Sequence, residues 1–240
     1  MTDEVWEDLQ LDSLQILQNK KGYRFTSDAV ILANFVSAKK SDLICEFGSG
    51  SGIISILIAH KENPKHIYAF DIQQQVVSRA QASVQKNNLQ EKITFICDDL
   101  KNAKAHLSEK MDIVVCNPPY QKFSSGLVSQ NEEVAISKSE VQTDLETIIK
   151  TAVSILKENG KFYLCMEPSR LAECIYKLKK CFLEPKKMFF SQANISSKPS
   201  CVFLECVKNG KEELKVLQPL ITHNDKGDYV AIIKELFKKG

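Results

Sequence analysis

Leu43-Ile44-Cys45-Glu46-Phe47-Gly48-Ser49-Gly50-Ser51-Gly52-Ile53 joins an apolar run to a helix-forming run through glycines at every second position. Such a turn lets the backbone reverse sharply and lets a ligand lie directly on it. The spacing is G-x-G-x-G, whereas a dinucleotide fingerprint needs G-x-G-x-x-G, so here the last glycine comes one residue early. A helix is expected from Ile53 to His60, then a strand His66–Phe70 and an amphipathic helix Gln74–Asn87. Lys92–Cys97 and Met111–Cys116 read as further strands. Leu145–Lys157 reads as a helix stopped by Asn159-Gly160, followed by a strand Lys161–Met166 and a helix Ser169–Cys181. Strands that alternate with helices of this length imply βαβ units: an α/β fold, a mostly parallel sheet with helices on both faces. The last two strands, Lys187–Phe190 and Cys201–Val207, have no long helix between them, so an antiparallel hairpin is expected at one edge.

Outward from this core, the chain of 240 residues is expected to be one domain, 1–240. Residues 1–40 form an N-terminal extension, with a helix Ala29–Ser37 capped by Thr26, Ser27 or Asp28. In that extension Trp6, Leu9, Leu11, Leu14 and Leu17 are expected to pack against the sheet. Residues 121–140 form a polar loop too long for an ordinary connection and are read as a substrate loop. The tail, 208–240, carries Pro219-Leu220-Ile221-Thr222, an Asn224–Gly227 turn and a short helix to Lys239.

Composition excludes several classes. Apolar residues are 43% and charged residues 26%, which is ordinary for a globular chain and rules out collagen-like or disordered character. The longest apolar run, around Ile53–Ala59, is far below the roughly 20 residues of a membrane span. The acidic start Met1-Thr2-Asp3-Glu4 reads as no secretory signal. The 8 cysteines lack zinc-knuckle spacing, and Cys45, Cys97, Cys116 and Cys206 sit in apolar stretches as small hydrophobes. His60, His66, His106 and His223 show no ligand spacing, so no metal is assigned. A reduced cytoplasmic protein is expected, with no membrane association, as a monomer or weak homodimer. Net charge is only +2, but residues 150–200 hold ten cations against four acids; that stretch reads either as a phosphate-binding face or as a solvated helix surface.

Acids recur where the strands end. Asp71 follows the second strand of the alternation, where a carboxylate can accept from both ribose hydroxyls. Asp98 and Asp99 follow the third, where one can accept from an adenine amino group. Together with the glycine turn they read as a nucleoside site in the crevice at the carboxyl edge of the sheet. Asn117-Pro118-Pro119-Tyr120 follows the fourth strand and is the most specific feature of the chain. Two prolines remove two backbone donors, so this turn presents carbonyls and almost no N–H. The Asn117 side-chain oxygen and the Pro118 carbonyl can then accept both hydrogens of one planar amino group. Its nitrogen lone pair is drawn out of conjugation and aimed at a methyl donor. Catalysis of this kind rests on positioning and needs no tuned general base. Tyr120 offers a flat face for stacking a base.

These features resemble the class I S-adenosyl-L-methionine-dependent methyltransferases over roughly residues 25–207. The resemblance implies a Rossmann-like, seven-stranded sheet whose last strand is reversed. It also implies a cofactor site at Glu46, Gly48, Ser49, Gly50, Gly52, Asp71, Ile72, Asp98, Asp99, Leu100 and Asn117. Glu46 would lie near the methionyl amino group, and Asp99 fits the adenine acid better than Asp98. In that class the Asn-Pro-Pro-Tyr motif marks N-methylation of adenine at N6, of glutamine, or of guanine at N2.

Phe25–Phe35, Asn131-Glu132 with Ala135-Ile136, and Pro219–Ile221 with Asn224–Gly227 resemble, more narrowly, the bacterial tRNA(Val) adenine-37-N6 methyltransferase family in its Gram-positive branch. That implies RNA, and tRNA above all, as the partner. Lys138-Ser139-Glu140 stands where the branch usually has Arg-His-Glu, which places Lys138 against substrate. Phe123 reads as a support for a flipped base or as a hinge anchor. The alternatives are an rRNA guanine-N2 or protein glutamine-N5 methyltransferase and, outside enzymes, a non-catalytic binder of S-adenosylmethionine and RNA.

Overall fold

In a computed structural model, which describes residues 3–9, 11–20, 25–118 and 144–224, the glycine turn leaves a strand whose every residue is buried: β3, Leu43–Phe47. Burial on both faces demands helices on both sides, and the chain supplies them. A hairpin comes first, β1 (Glu4–Asp8) and β2 (Gln15–Asn19), then α1 (Ser27–Phe35) and β3. α2 (Ile53–Glu62), β4 (His66–Asp71), α3 (Gln74–Lys86) and β5 (Ile93–Cys97) follow. After a short α4 (Ala103–His106) come β6 (Met111–Cys116), α5 (Leu145–Ile155), β7 (Leu156–Met166) and α6 (Leu171–Lys180). β8 (Leu183–Gln192), β9 (Cys201–Lys208) and two short strands, β10 (Lys215–Val216) and β11 (Leu220–Ile221), end the described chain.

The main sheet runs β5-β4-β3-β6-β7-β9-β8, with β10 and β11 both added to β8. β9 is antiparallel to β7 and β8, and the other pairs are parallel. This is the expected α/β fold: a seven-stranded, mostly parallel sheet with a reversed last strand. The two extra strands are a surplus the tail's sequence did not announce. The sheet's two faces bury separate cores. Ile44, Ile67, Val115 and Cys165 pack with α1, α2 and α3, while Cys45, Val114, Cys116 and Leu164 pack with α5 and α6.

Three expectations need correction. First, α5 stops at Ile155, and Leu156 already pairs with Met111. Asn159, at φ 58°, loops out residues between that pair and the Ile113–Lys161 pair, so Asn159-Gly160 makes an irregularity within β7 instead of a helix stop. Second, the extension is a hairpin that sits on the helical layer. Asn87 at the end of α3 accepts from the Gln15 N–H at 2.9 Å and donates to the Gln15 carbonyl at 2.7 Å. The Ser83 hydroxyl accepts from the Leu17 N–H at 2.9 Å. Leu9, Leu11 and Leu14 are buried as expected, joined by Ile16, but Trp6 stays 42% exposed under the Lys86 ammonium. Third, α1 begins at Ser27 with Thr26 at its N-cap, and no side chain there caps the helix. The basic stretch keeps both of its readings, and several of its cations form ion pairs: Lys150–Glu146, Lys157–Asp112, Arg170–Glu173, Lys177–Asp144, Lys179–Glu184 and Lys187–Glu205.

Candidate active site

The glycine turn owes its shape to left-handed backbone that a side chain resists: φ is 68° at Gly48, 53° at Gly50 and 82° at Gly52. Gly52 is also closed in by packing, since a Cβ there would lie 2.6 Å from the Phe95 ring and 3.2 Å from Ala80. Gly48 differs, because a Cβ there would meet nothing within 4 Å. One glycine serves the fold, and the other leaves open space above the turn. The turn is tied to its neighbour by the Ser49 N–H donating to the Phe70 carbonyl at 2.9 Å and the Gly50 N–H donating to Asp71 Oδ2, also 2.9 Å.

Glu46 ends up on the α2 side of β3, 1% exposed. Its Oε2 accepts from the Ser55 N–H at 3.1 Å and from the Ser55 hydroxyl. Its Oε1 is buried with no hydrogen-bond partner among the described residues, as are the hydroxyls of Ser49 and Ser51. Orphaned buried polar atoms are rare and costly in folded proteins, and clustered on a glycine turn they mark a place for a polar ligand. Burial pushes the Glu46 carboxyl up to about 8, against the two hydrogen bonds from Ser55. The group is therefore largely neutral at pH 7 and ready to ionise when a cation arrives.

Asp71 closes β4. Its Oδ1 accepts from the Gln73 N–H at 3.0 Å while Oδ2 holds Gly50, and burial outweighs these amides to raise its pKa. The carboxylate thus shapes the turn and keeps lone pairs for further donors. Ile72 beside it is 37% exposed. Asp98 is drawn into local structure: it accepts from its neighbour Asp99 N–H at 2.7 Å and Asn102 Nδ2 at 2.9 Å, and meets His106 Nε2 at 2.6 Å. The His106 contact holds its carboxyl below the usual range. Asp99 accepts from the Lys101 N–H at 2.9 Å through Oδ1, and among the described residues its Oδ2 meets the Lys101 ammonium at 3.4 Å. Of the two acids, Asp99 keeps more capacity for a ligand. Leu100 is buried in the α5-side core.

Asn117 follows β6, next to β3. Its Oδ1 accepts from the Cys165 thiol at 3.1 Å. Asn117 and Pro118 are both half-buried. β3 and β6 pair Glu46 with Val115, so Asn117 lies two residues beyond Glu46 on the same face. Pro119, Tyr120, Phe123 and Lys138 fall outside the described residues. The glycine turn, Glu46, Asp71, Asp98-Asp99 and Asn117 are therefore gathered at one carboxyl edge, on adjacent strands. Lys61 near the end of α2 donates to the carbonyl of Asn34 near the end of α1 at 2.9 Å, which ties those two helix ends together. Sequence reasoning missed Ser51, Ser55 and Cys165. Ser51 occupies a variable place in the turn pattern, and the other two matter only through tertiary contacts. Among the described residues there is no group of three or more His, Cys, Asp and Glu suited to a metal, and no helix is long and apolar enough to cross a membrane.

The family model described as "Methyltransferase small domain" matches residues 25–188. A tRNA1(Val) (adenine(37)-N6)-methyltransferase of Haemophilus influenzae is 26% identical over 147 residues, 61% of this chain and 62% of that protein. The chain thus spans under two thirds of that relative. A protein of the same description from Bacteroides fragilis is 19% identical over 233 residues, 96% and 97% of the two chains. Among solved structures, a predicted O-methyltransferase from Agrobacterium tumefaciens superposes with a TM-score of 0.70 at 18% identity, covering 87% of this chain and 94% of that one. The M. jannaschii tRNA m1G37 methyltransferase gives 0.62 at 19% identity, covering 87% and 58%. At these identities the structures bear on the fold alone.

Proposed function

The chain belongs to the methyltransferase small-domain family, and from that premise we propose that it methylates the N6 amino group of adenine in RNA, with a tRNA adenosine at position 37 as the substrate. We read residues 1–240 as one catalytic domain whose 121–140 segment meets the RNA. The observation that carries the cofactor assignment is the set of buried, unpartnered atoms on the glycine turn, Glu46 Oε1 and the Ser49 and Ser51 hydroxyls, beside the open space at Gly48. These fit S-adenosylmethionine, whose amino-acid end brings both an ammonium and a carboxylate. Glu46 would take the ammonium, Asp71 the ribose hydroxyls and Asp99 the adenine amino group. When bound, the cofactor supplies a methyl group made electrophilic by its sulfonium.

Asn117 and Pro118 do the rest of the work that these residues can do. The carboxamide oxygen and the prolyl carbonyl accept the two hydrogens of the target amine, which keeps the nitrogen lone pair out of the ring and directed at the electrophile. An exocyclic amine is already neutral, so no base is required before attack. A base next to the anticodon must leave its stack to reach this pocket, and that costs less in a loop than in a duplex. The descriptions of the Haemophilus and Bacteroides relatives support adenine-37 of a tRNA.

The test is methyl transfer from labelled S-adenosylmethionine to unmodified bulk tRNA, followed by nucleoside mass spectrometry. N6-methyladenosine is expected in one tRNA, and Asn117→Ala should lower kcat on the order of 100-fold while cofactor affinity survives. Methylated guanine, or label in protein glutamine, would replace the adenine reading. Full turnover in Asn117→Ala would remove the mechanism.

A further inference from the structure

Behind the proposed acceptor lies a side chain whose position follows from strand register. In the parallel pair β6–β7, Cys116 stands opposite Leu164, so the next positions, Asn117 and Cys165, are neighbours. Side chains alternate faces along a strand. Val115 and Cys165 point to the α2 side, and Cys116 and Leu164 to the α5 side, which sends Asn117 to the α2 side with Cys165. The thiol meets Asn117 Oδ1 at 3.1 Å, and Cys165 is 0% exposed. Its backbone is held in the middle of the sheet, opposite Phe203 of β9, so the sulfur has little freedom to move away.

An amide oxygen can accept two hydrogen bonds, whereas the amide nitrogen can only donate. A thiol is a weak donor and a weak acceptor, and here it donates to the carboxamide oxygen, the setting that puts Oδ1 at that spot. The terminal torsion of Asn is intrinsically broad and two-fold, and a setting that turned its NH2 to the target would oppose donor to donor. We propose that Cys165 is a positioning residue for methyl transfer: its S–H contributes to holding the Asn117 carboxamide with Oδ1 available to the substrate amine. The inference rests on Asn117 being the amine acceptor, as proposed above. A hydrogen bond of ordinary net strength corresponds to a two- to tenfold effect on rate, roughly.

The experiment compares Cys165→Val and Cys165→Ser with the full-length wild type. Valine fills the space without a donor, and serine restores a donor while burying a hydroxyl. The expected result is a kcat about two- to tenfold lower for Cys165→Val, with KM for tRNA and cofactor affinity unchanged, and a kcat near wild type for Cys165→Ser even if its Tm is lower. A packing role would produce the opposite order, with valine the better enzyme. Equal kcat for wild type and Cys165→Val overturns the inference alone. Failure of the wild type to methylate any tRNA overturns the functional reading, and this inference with it. A readout that needs no substrate checks the contact directly. The infrared S–H band assigned to Cys165, by difference against Cys165→Ala, should shift in Asn117→Ala, and an unmoved band would overturn the proposal.

Discussion

Cofactor affinity should rise with pH, and Glu46 sets the size of the effect. In the ligand-free protein burial holds this carboxyl at about 8. A cofactor ammonium against the unpartnered Oε1 replaces that desolvation with a charge pair and pulls the pKa far down. Binding therefore selects the deprotonated form and releases a proton. By the titration relation, about 0.9 proton should leave per ligand at pH 7, and affinity should climb roughly tenfold per unit between pH 5.5 and 7 before flattening near 8. The measurement is calorimetry with S-adenosylhomocysteine, which keeps the same ammonium, in two buffers of different ionisation enthalpy. Working at or below pH 7 leaves the ligand's own amino group mostly charged. Glu46→Gln mimics the neutral carboxyl and can still accept from Ser55. It should release no proton, bind about 10- to 100-fold more weakly at pH 7 because a charge-assisted hydrogen bond is gone, and approach the wild type at low pH. Wild-type binding without proton release, or a pH slope that survives in Glu46→Gln, would refute the assignment of Glu46 to the ammonium.

Stability of the ligand-free protein should show the reverse sign: the folded carboxyl titrates higher than the unfolded one, so Glu46's contribution is full below about 4.5 and is lost as pH rises towards 8, and the decline in Tm over that window should be shallower in Glu46→Gln. Gly48→Ala should cost about 1 kcal/mol in urea unfolding, from its left-handed φ, and yet abolish S-adenosylhomocysteine binding. Gly52→Ala, driven against the Phe95 ring, should cost about 3 kcal/mol; equal stability losses in the two would contradict their division of labour. Asn87→Ala should cost about 1–3 kcal/mol and speed amide exchange at Gln15 without changing cofactor affinity, and exchange that stays as slow as wild type would mean the hairpin is held elsewhere.

What could be read from the residue order, and what could not, follows from the range of the forces involved. β3, the glycine turn and α2 were legible because a buried strand and left-handed glycines leave local signatures at fixed offsets. Asp71 and Asp98-Asp99 were legible as strand-end acids, but only the structure separates their tasks. Asp98 is taken up by His106 and Asn102, contacts with residues four and eight places on that no pattern flagged. The start of β7 was misread because Asn159-Gly160 is the same signal whether a helix stops or a strand kinks. Pairing of Leu156 with Met111, far away in sequence, decides the matter. The N-terminal hairpin went unseen for a related reason. Its strands pair with each other in part because α3 offers Ser83 and Asn87 to its backbone, and neither partner is local.

The site depends on strand parity more than on any single residue. Glu46 sits opposite Val115, and Asn117 is two residues further on, which puts their backbones roughly 8 Å apart on one face of the sheet. A shift of one residue in either strand would send one of the two into the α5-side core. Strand order adds a second constraint. The chain leaves β3 for β4 on one side and later returns to β6 on the other, so the crevice between the two crossovers opens above β3. The residues read as holding the cofactor thus come mostly from the ends of β3, β4 and β5, while Asn117, read both as a cofactor residue and as the amine acceptor, follows β6 across that crevice, backed by Cys165 from β7. On the proposed assignment, the electrophile and the nucleophile would enter from opposite sides and meet over the glycine turn, where Gly48 carries no side chain and a Cβ would meet nothing within 4 Å.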